Sequence, residues 1–152
     1  GSSWTVSPVA FPTPSARLSS AGTTTALLVS GGTGSPGPIA IAQEWNGSSW
    51  TTVGAPSAPK NDAKSTGIQT LALKMYGTTG GTEQYNGSSW TTVANQGVTR
   101  DWATGGSSND STGASGLMFG GKQPSGSPSF TAATEEFTGE IPKLGYKSLT
   151  SS

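Results

Sequence analysis

The sequence predicts an all-β protein assembled from repeated four-stranded units. Three observations lead there. Glycine (23), serine (24) and threonine (22) make up close to half of the 152 residues, a composition poor in helix formers. The octapeptide Asn46-Gly47-Ser48-Ser49-Trp50-Thr51-Thr52-Val53 recurs unchanged at 86–93. Short apolar stretches alternate with period two, as Leu71, Leu73 and Met75 do against Ala72, Lys74 and Tyr76, placing one set on each face of a strand.

The elements follow in order. A shortened copy of the repeat, Gly1-Ser2-Ser3-Trp4-Thr5-Val6, opens the chain, so Trp4, Trp50 and Trp90 lie 46 and then 40 residues apart. In the first unit, strands are expected near Leu18–Gly22, Ala26–Ser30, Ala40–Trp45 and Ser49–Val53. The turn through Asn-Gly-Ser-Ser is expected because Asn and Gly both tolerate positive φ, which suits hairpin twist. Apolar runs end on Gly31-Gly32 and Gly120-Gly121, whereas the middle unit runs from Tyr76 into Gly77-Thr78-Thr79-Gly80-Gly81. Gln43-Glu44-Trp45, Glu83-Gln84-Tyr85 and Glu135-Glu136-Phe137 form an acidic-aromatic set, one per unit. Four strands in about 40 residues is the pattern of a radially repeated sheet. The units fall at 16–53, 63–93 and 102–137 within a repeat domain of residues 1–140. Residues 3–6 form a stray fourth strand, and 141–152 a tail.

Composition excludes several classes of function. Eight basic and eight acidic residues cancel, which argues against nucleic acid or an anionic membrane surface as partner. Cysteine and histidine are absent, so thiolate- or imidazole-based metal sites and Cys or His catalysis are ruled out. No apolar run approaches the 18 residues of a spanning helix, and the opening residues do not read as a signal peptide. Gly31-Gly32-Thr33-Gly34 lacks the Lys-Ser/Thr of a phosphate loop. Glu135 and Glu136 point to opposite faces of a strand and cannot form a glycosidase pair by themselves. No calcium loop is seen. No enzyme, cofactor or metal is expected.

The ordered set of basic residue, apolar run, Gly-Gly, acidic-aromatic tripeptide and Trp resembles the kelch motif. The wording Asn-Gly-Ser-Ser-Trp-Thr and Glu-Glu-Phe-Thr-Gly resembles more closely the kelch-like tandem-repeat proteins of tailed phages of marine and cyanobacterial hosts. The likeness covers roughly Gly1 to Glu140. It implies β-propeller blades of four antiparallel strands, about three in this chain. In that family the diglycine ends the second strand, the acidic-aromatic segment is the third, and Trp opens the fourth. The middle unit departs by lacking a diglycine directly after its strand, and the third by having no Trp after Phe137. Galactose-oxidase chemistry, found in the same group, is excluded here by the missing His and Cys.

The structurally repeated positions are Trp4, Trp50, Trp90, Gly31, Gly32, Gly120 and Gly121. Identical placement in each unit makes packing between blades the stronger reading of the tryptophans, ahead of glycan stacking. Asn46, Asn86 and Asn109 match N-x-S sequons, although the hairpin turn suffices to explain the first two. Arg17, Lys60 and Arg100 follow the Trp-bearing strands by 13, 10 and 10 residues; the resemblance places this loop near a central channel. There, Arg17, Lys60, Arg100, Asp101 and Trp102 are candidate contacts for an anionic or polyhydroxylated ligand. Against them stands a structural role, a charge satisfying carbonyls or carboxylates between blades.

The resemblance implies a structural protein of a phage virion, in a tail fibre, spike or decoration, located in the virion or outside the cell. Its partners would be other virion proteins or copies of itself, with a host glycan as a further candidate. The alternatives are a carbohydrate-binding adhesin and, less favoured, an intracellular kelch scaffold. Ser3–Val6 is expected to complete a blade supplied by other sequence. In order of preference this is an upstream part of the polypeptide, a neighbouring copy giving a six-bladed ring, or replacement by Leu144–Leu149 as a substitute final strand.

Overall fold

The computed structural model describes residues 2–77, 79–102, 115–123 and 130–139, and the backbone of 104–106. The strands are β1 (Ser19–Thr23), β2 (Ala26–Ser30), β3 (Ala42–Trp45), β4 (Trp50–Thr52), β5 (Lys64–Ile68), β6 (Leu71–Met75), β7 (Thr82–Tyr85), β8 (Trp90–Val93), β9 (Thr104–Gly106), β10 (Ser115–Phe119) and β11 (Thr134–Thr138). They form three antiparallel sheets ordered β1-β2-β3-β4, β5-β6-β7-β8 and β11-β10-β9. Each strand is thus paired with its neighbour in sequence, as short loops dictate. The protein is all-β as the sequence predicts. The described residues do not close into a ring, and β11 has no strand on its outer side among them.

Register makes the sheets superimposable. Trp45 faces Trp50 across β3 and β4, and Tyr85 faces Trp90 across β7 and β8. Ala72 pairs with Tyr85 as Gly116 does with Phe137, and Lys74 pairs with Glu83 as Met118 does with Glu135. The second sheet is therefore a ruler for the third.

Period-two alternation gives every sheet two usable faces, and the sheets stack through them. β1 packs on β5, and β5 on β9. Ala21, Leu28 and Ala42 of the first sheet meet Ala72 and Tyr85 of the second, with Val53 and Trp90 packed alongside. On the other face of the second sheet, Leu73 and Met75 meet Met118, with Val93 and Phe137 alongside. Burying these side chains supplies the main stabilisation, about 25 cal/mol per Å² of apolar surface.

Two local expectations are corrected. In both Asn-Gly-Ser-Ser turns only the glycine has positive φ (Gly47 at 95°, Gly87 at 92°). The asparagine acts through its side chain instead: Asn46 Oδ1 accepts from the amides of Ser48 and Ser49, both at 2.9 Å. Asn86 repeats this at 3.1 and 2.9 Å. Second, Arg17 is not the counterpart of Lys60 and Arg100. Arg17, Asp62 and Trp102 share left-handed φ values of 56°, 56° and 52°, each two residues ahead of an innermost strand. That shared backbone state, uncommon outside glycine, aligns Ser15 with Lys60 and Arg100.

Ser3–Val6 forms no strand and pairs with nothing among the described residues. The third unit's sequon at Asn109, the tail 141–152 and the substitute strand Leu144–Leu149 lie outside the described residues.

Candidate functional site

The left-handed residues ahead of β1, β5 and β9 bring one set of side chains to the same end of the inner strands. Arg17 Nη1 lies 3.3 Å from Asp62 Oδ2, an exposed ion pair linking the first two sheets. In the third unit the equivalent residue, Trp102, is 67% exposed, with Lys122 Nζ 5.4 Å from its ring centroid. Lys122 is held there by reciprocal backbone hydrogen bonds with Asp101, at 2.6 and 2.7 Å. Asp101 thus anchors the loop through its main chain. Trp102 and Lys122 present an open aromatic face and a cation, a pair suited to a planar or polyhydroxylated partner.

Lys60 and Arg100 lie elsewhere, under the turns that end β2 and β6. The Lys60 carbonyl accepts from the Gly32 amide at 2.9 Å, and a Cβ on Gly31 would sit 2.6 Å from that carbonyl oxygen. With φ values of 68° and 97°, Gly31 and Gly32 need both the backbone freedom and the space. Gly120 and Gly121 repeat the conformation at 64° and 103°. Arg100 is fully buried. Its guanidinium donates to the carbonyls of Ala133 (2.8 Å), Gly120 (3.3 Å) and Val98 (3.3 Å) and pairs with the Glu135 carboxylate. Glu135 in turn accepts from the Gly97 amide at 2.6 Å. These side-chain partners belong to the third unit and the loop leading into it, while the Arg100 amide donates to the Gly77 carbonyl of the second unit at 2.7 Å.

The first two sheets are tied by a cluster that sequence reasoning missed. Lys74 is completely buried and donates from Nζ to Ser30 Oγ across the sheet boundary at 2.8 Å. Its ammonium lies 5.6 and 5.9 Å from the ring centroids of Tyr76 and Trp90. Burial lowers its pKa to about 7, with the Glu83 carboxylate opposing the shift. Glu83 is itself buried; it accepts from the Ser57 amide at 3.0 Å and from the Tyr76 hydroxyl. Burial, reinforced by Glu83, pushes the Tyr76 hydroxyl far above its ordinary pKa. Burial and Glu44 do the same to Tyr85, whose hydroxyl donates to Glu44 at 3.0 Å. The one available signal was Lys74 itself, a lysine inside an alternating apolar strand.

The tryptophans of the repeat act in packing. Trp90 stacks on Tyr85 with ring centroids 5.0 Å apart and donates from Nε1 to the Gly54 carbonyl at 2.7 Å. Trp50 lies 5.1 Å from Trp45 and 4.9 Å from Phe11. Trp4 is completely exposed.

A groove of about 260 Å³ opens between the second and third sheets, lined among others by Ala94, Gln96, Met118, Glu136 and Phe137. Trp102 is not part of its wall, nor are Lys74 and Ser30, so the buried Lys–Ser pair has no substrate path through it. Among the described residues no three His, Cys, Asp or Glu side chains gather to hold a metal ion, and no helix is long and apolar enough to cross a membrane. No protein-family model and no curated protein matches the chain.

Proposed function

We propose that the chain is a non-enzymatic structural protein of a tailed-phage virion, a fibre, spike or decoration component, whose three sheets are kelch-like propeller blades. One observation carries the non-catalytic reading. The strongly perturbed or buried polar groups, Lys74, Glu83, Tyr76 and Arg100, are all engaged by partners within the protein: Lys74 by Ser30 of the first sheet, Glu83 by the Ser57 amide and the Tyr76 hydroxyl, and Arg100 by carbonyls of the third unit. None converges with another on the groove. The phage assignment is supported by the Asn-Gly-Ser-Ser-Trp-Thr wording and by a neutral, Gly/Ser/Thr-rich surface. Proteomics of gradient-purified particles from the phage that carries this sequence tests it. Its peptides are expected to remain with the particles at structural stoichiometry; their absence from intact particles removes the reading.

A second reading, a carbohydrate-binding adhesin, is favoured by Trp102, which combines 67% exposure with the adjacent Lys122 ammonium. Glycan-array binding that Trp102→Ala abolishes without loss of folding would support it. An array with no bound glycan would oppose it.

A further inference from the structure

We infer that the groove between the second and third sheets is the seat of an indole, and that its occupant is Trp4 of a second copy of this chain. The second sheet supplies the comparison. Trp90 rests on three things: the Tyr85 ring, the Gly54 carbonyl that takes its Nε1 hydrogen bond, and the Lys74 side chain. By register the counterparts one sheet later are Phe137, Ala94 and Met118. All three line the groove. No tryptophan follows Phe137 in the sequence, and among the described residues β11 has no strand on its outer side.

The missing piece exists in the same sequence. Gly1-Ser2-Ser3-Trp4-Thr5 repeats Gly47-Ser48-Ser49-Trp50-Thr51 and Gly87-Ser88-Ser89-Trp90-Thr91. Trp4 is 103% exposed and Val6 93%, and the segment makes no pairing of its own. Adding an extended segment to an open sheet edge satisfies its backbone groups, while alternate side chains fill pockets. In the register of β7 and β8, Trp4 would face Phe137 and Thr5 would face Glu136.

The exposed faces at the two ends of the stack point to a second copy as the donor. Leu117 and Phe119 of the third sheet are 40% and 39% exposed, whereas their counterparts Leu73 and Met75, covered by the third sheet, are 0% and 2%. At the other end Leu27 and Trp45 are only half-buried, although their counterparts Ala72 and Tyr85 are fully buried under a preceding sheet. One end has the face that accepts a preceding sheet, the other the face that accepts a following one. This is the heterologous, head-to-tail contact, and a net charge of zero places no long-range repulsion against it. The strand exchange rests on register and groove geometry and holds whether or not the assembly belongs to a virion. Closure after two copies rests in addition on the propeller reading, since closed propellers of four to eight blades admit six but not three or nine.

Because the chain has no cysteine, engineered thiols report the contact without background. Full-length Thr5→Cys and Glu136→Cys chains, one bearing a mass tag, are mixed and oxidised. The expected product is a disulfide-linked heterodimer, with Trp4→Ala in the Thr5→Cys chain cutting its yield at least about tenfold, as loss of a buried Trp anchor does. The same chains with cysteine at Ser20 in place of Thr5 serve as a folded control and should not cross-link. No heterodimer, an unchanged yield with Trp4→Ala, or an intramolecular disulfide in a monomeric Thr5→Cys/Glu136→Cys chain would each overturn the inference.

Discussion

At the scale of single residues, Lys74 shows how the repeat tolerates exceptions. Its counterpart in the third sheet is Met118, so the site accepts an unbranched apolar chain of similar length. An ammonium there is desolvated, and its pKa falls to about 7. A folded-state pKa below the unfolded value means the unfolded chain binds the extra proton between the two. Stability therefore rises with pH from about 7 towards the unfolded lysine pKa near 10.4, by on the order of 3 kcal/mol. The hydroxyls of Tyr76 and Tyr85 shift the other way. Their contribution is present below the unfolded tyrosine pKa near 10 and lost above it. Urea melts are expected to show maximal stability near pH 9–10, as these two shifts bracket it. Lys74→Met should be more stable than the parent at pH 7 and nearly flat up to pH 9. A parent that is already flat across that range would refute the buried, depressed lysine. Arg100 behaves oppositely. Its removal takes the cation from the Glu135 carboxylate and a donor from each of three carbonyls, so Arg100→Ala should cost about 3 kcal/mol or more; a loss below about 1 kcal/mol in the same melts would contradict that. The Arg100 role is the structural one the sequence offered, a charge satisfying carbonyls and a carboxylate; the Lys74 role was not legible beforehand. A one-dimensional pattern tells which face of a strand a side chain takes, but whether that face is covered depends on the next sheet.

At the scale of elements, the sequence located the four strands of the first unit to within two residues, because an apolar run, a diglycine and an Asn-Gly turn punctuate it, but the strand expected at Ser3–Val6 is not one. It misread how the turns work. The asparagine was expected to matter through its backbone, whereas Asn46 and Asn86 each gather two amides on Oδ1. Asn46→Ala and Asn86→Ala should each cost about 1 kcal/mol, and Asp, which keeps the acceptor, should recover most of it. Equal losses for Ala and Asp would show that the side-chain oxygen is not the stabilising group. The tryptophan strands lie at the edges of their sheets, and their rings are half-buried rather than enclosed. Trp90→Ala is expected to cost about 2–4 kcal/mol, at the low side of large-to-small core changes. Trp50→Ala should cost less, because Trp50 is covered by Phe11 and has no sheet stacked on its side. Denaturant midpoints in the reverse order would contradict the placement of the sheets. The loop alignment failed for a related reason. Counting from the tryptophans put Arg17 in register with Lys60 and Arg100, but the left-handed backbone at Arg17, Asp62 and Trp102 sets the true frame.

At the scale of the whole molecule, three sheets stack in chain order and leave unlike, mutually complementary ends. The shortened repeat at the start and the lack of an Asn-Gly-Ser-Ser-Trp copy after Phe137 were both legible in the sequence. The groove was not, since a vacancy is defined by walls that come from three separate segments. Elemental analysis of the purified chain should find no stoichiometric copper or zinc; either metal at one equivalent would require ligands unlike those that ordinarily hold them. The most direct test of the complementary ends is small-angle X-ray scattering of the wild-type chain across a concentration series. Two copies closing on each other predict a mass twice the 15.2 kDa of one chain, with a compact disc-like distance distribution that stops growing once the pair has formed. A mass of one chain at every concentration, or one that rises without limit as open filaments extend, would contradict a closed six-sheet ring.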